Sequence, residues 1–162
     1  MTAMTTRQVH QARGRKGTVS AELALLLPTL VLLLFGILEV GLLVRASAAL
    51  NHAASEAVRA AAVGATPATL DSRIATNATG IDEQLITHTY RRRSWDTAAA
   101  AWGPWVTLGT NGTYNDAVAG DQVQVDLQYP HKLIMGGLLG SALGASDDNR
   151  LTLTASAIIL RE

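Results

Sequence analysis

The sequence has no cysteine, few aromatic residues and little charge. The absence of cysteine excludes a disulfide framework and any zinc or redox site built on thiolates. One Phe, three Trp and three Tyr supply few large rings for a core in a chain of 162 residues. The sequence also lacks a Ser/His/Asp or Cys/His set, histidines at metal-ligand spacing, a phosphate-binding loop and a convincing carboxylate pair. We therefore expect no catalysis, no metal, no cofactor and no small-molecule substrate.

The charge that is present is unevenly distributed. Residues 1–17 contain four Lys/Arg and no Asp/Glu, whereas the remainder contains nine Lys/Arg against thirteen Asp/Glu. A nucleic-acid-binding domain presents a basic patch or stripe, and the long acidic part of this chain has none. We therefore expect no nucleic-acid partner.

A long apolar run at 23–44 follows the basic segment, and Glu39 is its one charged residue. About 20 apolar residues are needed to cross a bilayer as a helix, and this run is long enough. Cations precede it at Arg7, Arg13, Arg15 and Lys16, while only Arg45 follows closely. The positive-inside rule then places the N-terminus in the cytoplasm and everything after residue 44 outside. The sequence predicts a single-pass membrane protein.

Three kinds of N-terminal signal compete for this segment. A secretory signal peptide could be cleaved at Ala46-Ser47-Ala48, but its apolar core is normally 7–15 residues long, and this run is longer and contains Pro28 and Glu39. A plain uncleaved anchor explains the length and the flanking charge. It does not explain why Gly17 separates the basic flank from an ionisable Glu22 at the inner edge of the run.

The third interpretation explains both features: a basic leader, Gly17, Glu22 at the fifth position after it, and a long apolar helix. This arrangement resembles the class III signal of type IV pilins and pseudopilins. The resemblance implies that a prepilin peptidase removes the leader 1–17 by cleavage between Gly17 and Thr18. A carboxylate entering the apolar phase is costly unless it finds a partner. The new amino terminus of a neighbouring subunit is a cation at the same depth, so Glu22 would pair with it during assembly.

The resemblance becomes more specific along the run. Glu22-Leu23-Ala24-Leu25, Pro28 and the Gly36-x-x-Glu39-x-Gly41 pattern resemble the TadE-like family of minor pseudopilins from the tight adherence (Tad, or Flp) pilus system, although many members have an aromatic residue in place of Leu23. An alanine-rich stretch at 53–61 fits the same family. The resemblance implies a protein of the bacterial cytoplasmic membrane whose partners are other pseudopilins and Tad assembly-platform proteins.

Pro28 and Glu39 are two unusual residues for a membrane helix. Proline removes the hydrogen bond to the Ala24 carbonyl and is expected to kink the helix, which neighbouring helices can accommodate. The alternative is a simply tolerated membrane proline. For Glu39 we favour a contact with a partner helix, since an intramembrane acid is a functional candidate. The alternative is a side chain that reaches the membrane interface by snorkelling.

The rest of the pattern predicts an α+β, pilin-like fold. No helix breaker occurs between residue 44 and Gly64, so one long helix is expected over 18–63, with an extracytoplasmic α+β domain over 64–162. Thr66-Pro67 predicts the start of a short second helix. Strands are expected over 84–93, over 121–129 with Pro130 as its stop, and over 151–160, the last two forming a pair.

The three tryptophans all lie between residues 94 and 115, and we expect Trp95, Trp102 and Trp105 to anchor the outer core. The alternative is an exposed cluster that binds a partner. The adjacent arginines at 91–93 are predicted to be a solvated strand end. The competing function is therefore an uncleaved single-pass envelope protein that binds a partner through this Trp-rich segment.

Overall fold

The computed structural model describes residues 15–137, 144–146 and 148–162. Residues 1–14 of the expected leader therefore lie outside the described residues. The chain forms two compact units, Met1–Leu38 and Glu39–Glu162.

Helix α1, Arg15–Ala62, is the longest element and continues through Pro28. In the first unit its residues from 19 to 38 are exposed apart from the half-buried Gly36. The segment Val19–Ala62 is one candidate membrane-spanning helix by length and composition, and little of its most apolar part is buried. The apolar side chains therefore have no cover from the described part of the chain, as expected for a surface that faces lipid.

In the second unit, the C-terminal part of α1 supplies one side of the core. Leu50, Ala53, Ala57 and Ala61 are fully buried, whereas His52 is exposed. Alanine has a short side chain, so a sheet packs closely against this face. The small residues of α1 thus form its packed face.

Helix α2, Pro67–Asn77, begins where the sequence predicts it. Thr66 is its N-cap and accepts the Thr69 backbone N–H, and Pro67 occupies the first position. Gly64 ends α1 with a φ of 95°, a conformation that glycine adopts without steric cost. A single 3-10 turn, Glu83–Leu85, leads into the sheet.

The main sheet has four antiparallel strands in the order β4-β1-β7-β8. Two short hairpins, β2-β3 and β5-β6, lie between β1 and β7 in the chain. The strands are β1 Thr87–Arg93, β2 Trp95–Asp96, β3 Ala101–Trp102, β4 Val106–Thr107, β5 Thr110–Asn111, β6 Tyr114–Asn115, β7 Gln122–Lys132 and β8 Arg150–Leu160.

The long pair β7-β8 was predicted, but the prediction that Pro130 stops β7 is wrong. Pro130 lies inside the strand, opposite Thr152. At one end of this pair the Leu133 N–H donates to the Asn149 carbonyl, and at the other end the Arg161 N–H donates to the Asp121 carbonyl. The hydrogen bonds between β7 and β8 therefore join odd-numbered residues of the two strands. The missing N–H of Pro130 would thus point toward β1, whose pairing with β7 already ends at Gln128. The proline costs no ladder bond there.

The core lies between the sheet and the two helices. Val123, Val125 and Leu127 of β7 are fully buried, and Leu70 and Ile74 of α2 join them. The alternating pattern of β7 therefore has its apolar face inward. The expected α+β class, with a long N-terminal helix and a small antiparallel sheet, is confirmed.

Candidate functional site

Of the residues expected to act in processing and assembly, Gly17, Thr18, Glu22 and Pro28 lie in the first unit, and Glu39 lies in the second. Gly17 and Thr18 are part of the helical backbone of α1, and Glu22 and Pro28 are exposed on the same helix. An exposed carboxylate inside an apolar helix is free to meet a partner from another chain. The pairing of Glu22, the cleavage after Gly17 and the packing role of Pro28 stay predictions.

Glu39 is the most buried acid of the described chain, with 1% of its surface exposed. Its carboxylate accepts three bonds from two backbone amides: Ile134 N–H to Oε2 at 2.9 Å and to Oε1 at 3.1 Å, and Met135 N–H to Oε2 at 3.1 Å. Hydrogen bonds to an ionised acceptor are stronger than those between neutral groups. This carboxylate therefore has partners in its own chain, and its expected contact with a partner helix stays a prediction.

Asn115 closes the C-terminal end of α1. It is 2% exposed, and its Nδ2 donates to the carbonyls of Ala61 at 2.8 Å and Ala65 at 3.0 Å. The guanidinium of Arg161 donates to its Oδ1. The last carbonyls of a helix have no partner within the helix, and here a side chain 54 residues away supplies one.

Arg91, Arg92 and Arg93 alternate faces of β1 as predicted, but the prediction of a solvated strand end is wrong. All three are half-buried. Arg92 points toward the inner side, where its Nε is 3.1 Å from Asp116 and its Nη1 is 3.7 Å from the buried Asp121. A buried carboxylate needs such a partner, because an unpaired charge in the interior is costly.

Arg91 lies on the outer face of the sheet and pairs with Asp126 of β7 at 2.5 Å. Gln124 donates to the other oxygen of Asp126 at 2.8 Å. Partial burial raises the pKa of Asp126, but hydrogen bonds from Arg91, Ser156 and Gln124, together with the charge of Arg91, outweigh burial and lower the pKa below its ordinary value. The carboxylate is therefore held ionised by its neighbours.

The tryptophans do not anchor the core, so that prediction is wrong. Trp95 is 47% exposed, and Trp102 and Trp105 are half-buried. The guanidinium of Arg93 lies 4.4 Å from the ring centroid of Trp105 and 5.3 Å from that of Trp102, and Trp95 meets Trp102 edge to face. The core is filled by Ala, Val, Leu, Ile and Tyr instead. The tryptophans thus form a surface cluster around one cation.

Polar side chains also join α2 to β1. Tyr90 donates its hydroxyl hydrogen to Asp71 Oδ1 at 2.6 Å, and His88 Nε2 is 3.1 Å from the same oxygen. The rings of His88 and Tyr90 stack with centroids 5.1 Å apart. Burial and the nearby Asp71 carboxylate raise the pKa of Tyr90, so its hydroxyl stays protonated and donates. Within the described residues, no group of three or more His, Cys, Asp or Glu is arranged to hold a metal ion.

Residues 17–59 match the family model described as TadE-like protein, which confirms the resemblance drawn from the sequence. The match includes Gly17, Glu22, Pro28 and Glu39 and ends within α1, before the sheet begins. No curated protein and no solved structure matches the chain.

Proposed function

We propose that this chain is a minor pseudopilin that takes part in the initiation or assembly of a Tad (Flp) pilus. The TadE-like match over residues 17–59 carries this proposal. The match begins at Gly17, the residue that would precede the cleavage site, and contains the acid at the fifth position after it. One candidate membrane-spanning helix in the same segment supports a single-pass anchor in the bacterial cytoplasmic membrane.

In this role, a prepilin peptidase would remove 1–17, and Glu22 would meet the amino terminus of a neighbouring pseudopilin. The exposure of Glu22 and of the apolar surface around it supports an intermolecular contact along this helix. The outer domain would present the sheet and the tryptophan cluster to Tad assembly-platform proteins. No step of this role needs catalytic chemistry from this chain itself.

The decisive measurement is the N-terminal residue and intact mass of the protein extracted from the membrane of its native host. A chain that begins at Thr18, with or without an added methyl group, would support the proposal. A chain that begins at Met1 would overturn processing and leave a plain anchor, and a start near Ala49 would indicate a secreted domain.

A pair of glycine variants sharpens this measurement. Gly17→Leu should leave the leader attached, because the residue at the cleaved bond is changed. Gly14→Leu makes the same change three residues earlier in the leader and should still be cleaved. Cleavage of the Gly17→Leu chain at the same bond would refute the assigned site.

The surface position of the tryptophans favours a second candidate, an uncleaved envelope protein that binds a partner through this cluster. Trp and Arg are enriched among the residues that dominate binding energy at interfaces. This candidate predicts a retained leader and no association with pilus components. Detection of other pseudopilins cross-linked to the processed chain would exclude it.

A further inference from the structure

The segment 133–137 presents an apolar side chain outward while its backbone is firmly held. Leu133 is buried, whereas Ile134 is 66% exposed. On one side, Glu39 accepts the backbone N–H groups of Ile134 and Met135. On the other side, the Leu133 N–H donates to the Asn149 carbonyl at 2.9 Å.

Gly136 strengthens this second attachment. A Cβ atom at this glycine would overlap the side chain of Asn149, so the backbone approaches Asn149 as closely as only glycine permits. The exposed position of Ile134 is therefore imposed by the fold on both sides of the segment.

The position of Glu39 in the apolar run sets the depth of this segment. Glu39 is five residues before the end of the run 23–44. At about 1.5 Å of rise per residue, that is roughly 7.5 Å inside the outer end of a helix whose apolar length matches a bilayer. The N–H groups of Ile134 and Met135 lie within hydrogen-bond distance of its carboxylate. Side chains on a helix also lean toward its N-terminus, which here is the membrane side.

The hydrogen bonds suit an environment without water. Backbone N–H groups in hydrocarbon must be satisfied by protein, and a carboxylate there is costly unless it is paired. Glu39 and the two amides satisfy each other. The same part of the chain exposes other apolar side chains, because Val40 and Val44 of α1 are 55% and 63% exposed.

We infer that the segment 133–137 inserts into the outer leaflet of the bilayer, with Ile134 against the acyl chains and Glu39 as its tether. The occupant of this surface is lipid. The inference rests on the membrane anchor of the proposed function and not on leader processing or on a pilus. The quenching result can therefore fail while the chain is found to begin at Thr18, and it can hold while the chain is found to begin at Met1.

The absence of cysteine makes the test direct, because a single introduced cysteine carries a fluorescent label without competition. The full-length chain is labelled at Ile134→Cys and reconstituted in phosphatidylcholine vesicles. The matched control is Ile158→Cys on the outer face of the sheet, where isoleucine is also exposed, at 52%. Quenching is measured with a nitroxide high on the lipid acyl chain and, separately, with aqueous iodide.

The label at residue 134 should lose most of its fluorescence to the lipid nitroxide and little to iodide, and the label at 158 should show the reverse. Iodide quenching of both labels, without lipid quenching at 134, would overturn the inference. Glu39→Leu removes both acceptor oxygens and places an apolar side chain of similar size there, so in that background the label at 134 should become accessible to iodide. Unchanged lipid quenching at 134 in the Glu39→Leu chain would refute the tether.

Discussion

Tyr90 and Asp71 are 19 residues apart in the chain, and the hydrogen bond between them joins the middle of β1 to α2 at 2.6 Å. The tyrosine is buried, and its hydroxyl reaches a carboxylate that remains half-exposed. This bond therefore fixes the position of α2 on the sheet at the edge of the buried core.

Tyr90→Phe should destabilise the protein by about 1–2 kcal/mol, because it removes a hydrogen bond to a charged acceptor while keeping the ring. The acceptor is half-exposed and regains water, so the cost should lie at the low end. The urea midpoint of the chain in detergent measures it. Tyr114→Phe removes the same atom from a tyrosine that is 60% exposed and should leave the midpoint unchanged. An equal loss in both variants would contradict the assigned role.

Stability should fall in acid as Asp126 is protonated. The pKa of Asp126 is lower in the folded chain than in the unfolded chain, so the unfolded state binds more protons in this range. The stabilisation is thus complete above the ordinary aspartate pKa of about 4 and is lost as the pH falls below it through the folded pKa. Asp126→Asn should flatten the dependence of the urea midpoint on pH in this window.

Asp148→Asn is the control for that experiment. It removes an aspartate from an exposed turn and leaves the Asp126 network intact, so the acid-induced loss should persist. A loss that persists equally in Asp126→Asn would mean that other carboxylates cause it.

Arg93→Met should weaken the tryptophan cluster. The substitution keeps an unbranched side chain but removes the cation near two indole rings and the 2.7 Å bond to Gln122. A cation–π contact at an exposed site contributes about 0.5–1 kcal/mol, so a loss of about 1–2 kcal/mol with a red-shifted tryptophan emission is expected. Arg73→Met on the exposed surface of α2 should change neither quantity. An unshifted emission spectrum in Arg93→Met would show that the cluster does not depend on the cation.

Glu22→Ala should leave leader cleavage largely intact and impair piliation, because the carboxylate that meets a neighbouring amino terminus is lost. Mass spectrometry reports cleavage, and electron microscopy of the host reports pili. Glu56→Ala removes a helical glutamate whose ion pair with Arg59 lies at the surface, and it should preserve both. Normal piliation in Glu22→Ala would refute the role given to this residue.

The parts of the fold that were predictable are those set by neighbours in sequence. Helix α1, the cap of α2 at Thr66 and the alternation in β7 are local patterns, and each is observed. The continuation of β7 through Pro130 depends on the residue at which β1 begins to pair with β7. The sequence around Pro130 does not indicate that residue.

The surface position of the tryptophans was missed for a similar reason. The volume between α1 and the sheet is set by alanines on the helix, and Val, Leu and Tyr fill it without any large indole ring. The rings of Trp102 and Trp105 instead contact the guanidinium of Arg93 at the surface. Asn115, Asp116 and Asp121 were missed as well, because their roles depend on partners far away in sequence.

The partners of Glu39 are encoded 95 residues later in the chain, and this separation matters during synthesis. Ribosomes add about 5–20 residues per second, so the amides of Ile134 and Met135 are made roughly 5–20 s after the glutamate itself. Until then, water, lipid headgroups or another protein must receive this carboxylate. During this interval, Glu39 of the nascent chain can contact other helices. The interval ends when the segment that contains Ile134 and Met135 binds the carboxylate.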